Sequence, residues 1–141
     1  MERVNRKRIS DLKIGDFAEK TDFITLQKAM QYAMVTEDNN PIHFETAEAY
    51  QSRYGKPIAH GMILAGFISG VIGMFLPGNG CIYETQTLTF RLPVFYEEKI
   101  LTRVTVSAID QKRNRVTLRT ECFNQQQELV LTGEVVVLPS R

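Results

Sequence analysis

The stretch His60-Gly61-Met62-Ile63-Leu64-Ala65-Gly66-Phe67-Ile68-Ser69-Gly70-Val71-Ile72-Gly73-Met74-Phe75-Leu76 decides the architecture of this 141-residue chain. Residues 62–76 carry no charge, and Pro77 closes the run. It is shorter than the ~20 residues needed to cross a bilayer, so a buried helix is expected. Ile63, Leu64, Phe67, Ile68, Val71, Ile72 and Phe75 surround its axis, the pattern of a core helix. Gly66, Gly70 and Gly73 recur at helical spacing and leave one face without side chains, where close packing is expected.

After the turn Pro77-Gly78-Asn79-Gly80, the apolar period changes from helical to two. This predicts strands over residues 81–92, 99–109, 115–123 and 128–138. In the third, Val116, Leu118, Thr120 and Cys122 share a face; in the last, Leu129, Leu131, Val135 and Val137 do. The links at 110–114 and 124–127 are of hairpin length, so the strands should pair antiparallel. One long apolar helix followed by such a meander implies an α+β fold, with the sheet curling around the helix.

Upstream, Ile9-Ser10-Asp11-Leu12 and a Gly15-Asp16 turn precede a strand predicted over 17–24. Thr25 then caps a helix over 26–36, whose Leu26, Ala29, Met30, Ala33 and Met34 fall at helical spacing. Pro41 prevents its continuation, and a shorter helix follows from Thr46 through residue 53, ended by Gly55 and Pro57.

Residues 1–141 fit one domain. With 17 basic residues against 16 acidic ones and a net charge of +1, nothing points to a nucleic-acid partner. Arg3, Arg6, Lys7 and Arg8 read as a solvated terminus. Cys81 and Cys122 have neither disulfide-framework nor zinc-ribbon spacing. No apolar signal segment follows the basic start, which leads to the expectation of a cytoplasmic protein, with no membrane partner. Neither a dinucleotide fingerprint nor a P-loop is present in the sequence.

The chemistry gathers between the two helices. Asp38, Asn40, Pro41 and His43 form D-x-N-P-x-H, and the second of the chain's two histidines, His60, precedes Gly61 at the head of the long helix. A carboxylate and an imidazole that reach one water can orient it and share its protons. Gly61, at a helix N-terminus, offers an N–H to a developing negative charge, half of an oxyanion hole. The bland alternative is that Asp38 and Asn40 shape a turn and His43 is ordinary surface. His60 reads as a satisfied structural histidine. A metal site from Asp38, His43 and His60 is disfavoured by the scattered spacing.

Asp38-Asn39-Asn40-Pro41-Ile42-His43, Pro57-Ile58-Ala59-His60-Gly61-Met62, the glycine-bearing helix, Thr89-Phe90-Arg91-Leu92-Pro93-Val94 and Thr132-Gly133-Glu134-Val135 together resemble the MaoC-like (R)-specific enoyl-CoA hydratases. The likeness spans roughly residues 14–138. It implies a hot-dog fold, with the segment 38–55 overhanging the sheet, and a homodimer with active sites near the subunit interface. It implies an acyl-CoA thioester substrate and no metal or cofactor. Asp38 and His43 would activate water for addition to a trans-2-enoyl thioester, giving an (R)-3-hydroxyacyl product. Asn40 would orient the loop, the Gly61 N–H would polarise the thioester carbonyl, and Ser69 and Ile72 would line the acyl pocket. Two positions depart from the family pattern: Glu37 stands where many relatives carry glycine, and Glu97-Glu98 where a Gly-Asp pair is usual. A dehydratase acting on carrier-protein thioesters, a hot-dog thioesterase and a non-catalytic acyl-thioester-binding module remain open at this point.

Overall fold

The computed structural model describes residues 5–141. Arg3 of the basic start lies outside them. A 3₁₀ turn at Ile9–Asp11 leads to β1 (Phe17–Phe23). The Thr25 hydroxyl accepts the Lys28 N–H and starts α1 (Leu26–Thr36), satisfying one of the amides that a helix start leaves unpaired. α1 ends at Glu37, whose φ of 61° is left-handed, a conformation costing a side-chain-bearing residue about 1 kcal/mol. A second 3₁₀ turn, Pro41–His43, and the short α2 (Ala47–Gln51) follow. Thr46 caps α2 as expected, but the helix stops short of residue 53 because Ser52 turns extended and its hydroxyl takes the Ala49 carbonyl.

The long helix is α3 (Gly61–Met74). After it come β2 (Ile82–Gln86), β3 (Thr89–Phe90), β4 (Lys99–Asp110), β5 (Arg115–Phe123) and β6 (Leu129–Leu138). The sheet runs in the order β1-β4-β5-β6-β2, with β3 also paired to β6, and every pair is antiparallel.

Two strand expectations need correction. Residues 81–92 form two strands, because the chain detours at Thr87. There the Thr87 N–H donates to the Glu134 carbonyl at 2.9 Å, and the Gln86 side-chain amide takes the Thr87 carbonyl at 2.9 Å. The detour crosses Gly133, where a Cβ would collide with the Thr87 carbonyl oxygen, so this position requires glycine. In β6, Leu131, Val135 and Val137 are buried as the alternation predicts. A register slip opposite Cys122 and Phe123 buries Val130 in place of Leu129.

Ile63, Leu64, Ile68, Val71 and Ile72 of α3 pack with Val104, Val106, Val116, Leu118, Val135 and Val137 of the sheet in one core. Each such side chain contributes roughly 1.5–3 kcal/mol on burial. The rest of α3 is not enclosed. A Cβ at Gly66, Gly70 or Gly73 would meet nothing within 4 Å, and Met62 and Met74 are exposed. The close packing predicted for the glycine face is therefore absent among the described residues. On α1 the alanines Ala29 and Ala33 face inward, while Leu26, Met30 and Met34 border an open cleft with Phe44.

Ile68 is fully buried midway along α3. Ile68→Ala should lower unfolding stability by about 2–5 kcal/mol, read from urea denaturation followed by circular dichroism.

Candidate active site

The D-x-N-P-x-H segment is a chain of local hydrogen bonds. Asp38 Oδ1 accepts the Asn40 N–H at 3.2 Å, and Asn40 Oδ1 accepts the Ile42 N–H at 3.2 Å. Pro41, which has no N–H to satisfy, opens the 3₁₀ turn that carries His43. The local sequence thus sets the path between carboxylate and imidazole. Tertiary bonds then fix the histidine. Its Nδ1 lies 2.8 Å from the Ile58 carbonyl, and its own carbonyl accepts the Tyr96 hydroxyl at 2.7 Å. The strand-like segment beneath is tied in turn: Ile58 N–H to the Ile42 carbonyl at 3.1 Å, and Ala59 N–H to the Val94 carbonyl at 2.8 Å.

A carbonyl can only accept, so Nδ1 of His43 carries the proton and Nε2 presents a lone pair. Burial lowers the His43 pKa most, and the neighbouring His60 adds to that. The Ile58 carbonyl and the Asp38 carboxylate pull the other way without cancelling the shift. The neutral imidazole is therefore favoured at pH 7. Burial also pushes the Tyr96 phenol up to about 12, which keeps it a donor.

His60 sits at the N-cap of α3, and its Nε2 donates to the Asp38 carbonyl at 3.0 Å. Its ring stacks on His43, with centroids 3.8 Å apart and planes inclined by 28°. One ligating atom from each of Asp38, His43 and His60 lies within 4.8 Å of the others. For a metal the arrangement is poor. Stacked rings hold their lone pairs in nearly parallel planes that do not converge on one ion, and Nδ1 of His43 and Nε2 of His60 already donate to carbonyls. For a water the arrangement is good, since a carboxylate and a basic Nε2 can accept its protons together.

Gly61 is the first residue of α3, so its N–H has no carbonyl one turn back. With His43 it borders a cleft of ≈ 360 Å³ whose walls include Tyr54, Leu64, Phe90 and Leu92. The Phe90 ring lies so close over Gly61 that a Cβ there would stand 2.8 Å from Cε1. The cleft therefore has a polar head, where an imidazole and a free backbone N–H meet, and an otherwise largely apolar wall. Ser69 and Ile72 do not line it. Ser69 lies exposed on α3 near the open glycine positions, whereas Ile72 is sealed in the core. Within one chain the acyl-pocket expectation for these two residues is thus not met, because α3 carries them about 12 Å or more beyond Gly61.

Tyr54 and Tyr96 had no local sequence signal, since isolated aromatics mark cores and clefts alike, and Phe90 stood in a quoted motif without a role assigned to it. His60 was read as satisfied, but only one of its ring nitrogens has a partner. Its Nδ1 is buried without one among the described residues.

Residues 16–125 match the model of the MaoC-like domain family. The chain is 38% identical over 126 residues to the (R)-specific enoyl-CoA hydratase of Aeromonas caviae, covering 89% of this chain and 94% of that protein. It is 32% identical to a mitochondrial 3-hydroxyacyl-[acyl-carrier-protein] dehydratase of Arabidopsis thaliana, covering 92% and 79%. The unliganded R-hydratase of Pseudomonas aeruginosa superposes with a TM-score of 0.90 at 34% identity, over 96% of this chain and 87% of that one.

The lowered His43 pKa has a definite sign. The unfolded chain takes up a proton near 6.5 before the folded one does, so this residue makes stability fall as pH drops below 6.5. An NMR titration of the His43 ring should give a midpoint below 6.5.

Proposed function

Since the chain belongs to the MaoC-like domain family, we propose that it is an (R)-specific enoyl-CoA hydratase, a hydro-lyase on the hot-dog fold. The observation that carries this reading is the approach of an Asp38 carboxylate oxygen to within 4.8 Å of a neutral His43, whose ring borders, together with Gly61, a largely apolar cleft. Asp38 and the His43 Nε2 hold one water above C3 of a trans-2-enoyl thioester. As its oxygen bonds C3, the pair removes a proton, and negative charge passes to the thioester oxygen. The Gly61 N–H stabilises that charge where it develops. A proton then returns to C2 on the same face, so that hydroxyl and hydrogen from one water have added. Asn40 supports the reaction by capping the turn that carries His43. No step calls on a metal or cofactor.

A specific finding favours one further reading, the reverse elimination on a carrier-protein thioester: the likeness to the Arabidopsis dehydratase extends over most of this chain. Both directions share one transition state and use the same groups. A thioesterase or a binding module without turnover has no comparable support.

A second copy of the chain is the proposed partner. The open glycine positions of α3 and the exposed Ile82 and Tyr83 of the edge strand β2 are apolar surface of the kind a dimer covers. Ser69 would border the acyl tail once that face is covered, and Ile72 would act on it through its packed neighbours. Among the described residues no helix is long and apolar enough to cross a membrane. A cytoplasmic location is proposed on the two free cysteines.

With crotonyl-CoA, loss of the enoyl-thioester absorbance should yield (R)-3-hydroxybutyryl-CoA on a chiral column. Asp38→Asn and His43→Ala should each lower kcat by about 10²–10⁴-fold. A folded Asp38→Asn protein that turns over at the wild-type rate would sink the mechanism. Sedimentation equilibrium should return twice the 16.1 kDa chain mass, and Gly70→Trp should shift it towards one chain.

A further inference from the structure

The N-cap of a helix is usually filled by Ser, Thr, Asp or Asn, whose side chain accepts one of the first free amides. His60 holds that position on α3 and makes no such bond. Its ring turns away from the helix, towards the loop that carries the acid/base pair. Nε2 donates to the Asp38 carbonyl at 3.0 Å, whereas Nδ1 is buried with no partner among the described residues, so among these the bond to Asp38 is the single polar tether of this side chain. Packing fixes the remainder. One face lies on His43 at 3.8 Å, and the rings of Tyr32 and Phe44 stand 4.7 and 5.9 Å away. The residue is 2% exposed.

The other bonds of Asp38 are local to its own loop. Its N–H donates to the Thr36 hydroxyl at 3.2 Å, and its carboxylate accepts the Asn40 N–H. Neither reaches the core. His43, by contrast, is anchored from outside the loop through the Ile58 carbonyl and Tyr96. Within the loop the two are joined through Asn40, which donates its N–H to the Asp38 carboxylate and accepts the Ile42 and His43 N–H groups, but these bonds are local and leave Asp38 without an anchor of its own outside the loop. The His60 ring supplies that anchor and a second link, because it bonds the backbone of Asp38 and stacks on the face of His43.

We propose that His60 is a positioning residue that sets the spacing between Asp38 and His43, by joining the Asp38 carbonyl to the ring of His43 across the first turn of α3. The consequence for rate rests on the hydratase reading; the consequence for the loop does not. His60 is 2% exposed and does not border the cleft. Its loss should therefore act on turnover more than on substrate binding, since a displacement near 1 Å between reacting groups can cost about 10²-fold in rate.

Two variants separate the tether from simple filling of space. His60→Phe keeps an aromatic ring and removes the N–H. His60→Gln carries an N–H close to the position of Nε2 and gives up the ring. With crotonyl-CoA, His60→Phe should lower kcat by about 10–100-fold with KM changed by less than about twofold, and His60→Gln should recover at least about fivefold of that loss. Amide hydrogen exchange over residues 37–43 should speed up in His60→Phe and return towards wild type in His60→Gln. A folded His60→Phe protein with kcat within about twofold of wild type, or a His60→Gln protein no better than His60→Phe, overturns the proposal. If the wild-type protein hydrates no enoyl thioester, the hydratase reading falls, and exchange alone decides. Protection lost in His60→Phe and restored in His60→Gln then supports the link; unchanged protection overturns it.

Discussion

Burial of one face of α3 against the sheet is the constraint on which the rest of the structure depends. Ile63, Leu64, Ile68, Val71 and Ile72 have no other way out of water, and the long strands β4, β5 and β6 supply the valines and leucines that receive them. Once α3 is seated, its N-terminus has a fixed place. His60 and Gly61 stand there, and the loop between α1 and α2 must come to them. The site is thus made where a core helix begins, so that a free backbone N–H and two imidazoles are positioned by the same apolar packing that holds the fold together.

The loop itself keeps its polar groups occupied although it lies beside the core. Asp38, Asn40, Ile42, His43 and Ile58 exchange hydrogen bonds within the segment, and Tyr96 and Val94 tie it to the chain that leads into β4. That accounting lets His43 be buried, and its burial in turn favours the uncharged ring. Structure and ionisation are here one argument. A loop with fewer bonds would admit water, and His43 would behave more like a free histidine.

Much of this was legible in the sequence because the signals were periodic or proximal. The 3.6 period from residue 61 and the period of two in β5 are unambiguous, and D-x-N-P-x-H places its groups by bonds between near neighbours. Features set by distant contacts were not legible. The break in the strand after Gln86 depends on Gly133, and the burial of Val130 depends on a slip against β5. The open face of α3 could not be read because apolar periodicity reports that a surface shuns water, and not what covers it. The two departures from the family pattern acquire a physical meaning only in three dimensions. Glu37 and Glu97 both adopt left-handed backbone, with φ of 61° and 68°, the conformation glycine takes without cost. His60 reads as satisfied in the sequence, whereas its Nδ1 is buried with no partner among the described residues and its Nε2 bonds a loop carbonyl, neither of which leaves a trace in composition.

The bond between His43 Nδ1 and the Ile58 carbonyl makes the imidazole one-sided. With that nitrogen engaged, the ring can trade a proton with the cleft only through Nε2, and a ring flip would break the bond and face Nδ1 away from its acceptor. In the proposed reaction the imidazole therefore takes and gives protons at one fixed point, beside the Asp38 carboxylate. Which face of a flat enoyl group meets that point is set by how the cleft walls and the Gly61 N–H hold the thioester. On the proposed mechanism, the imidazole's share in the handedness of the product is fixed by the main chain at Ile58, through an oxygen that no side-chain substitution removes.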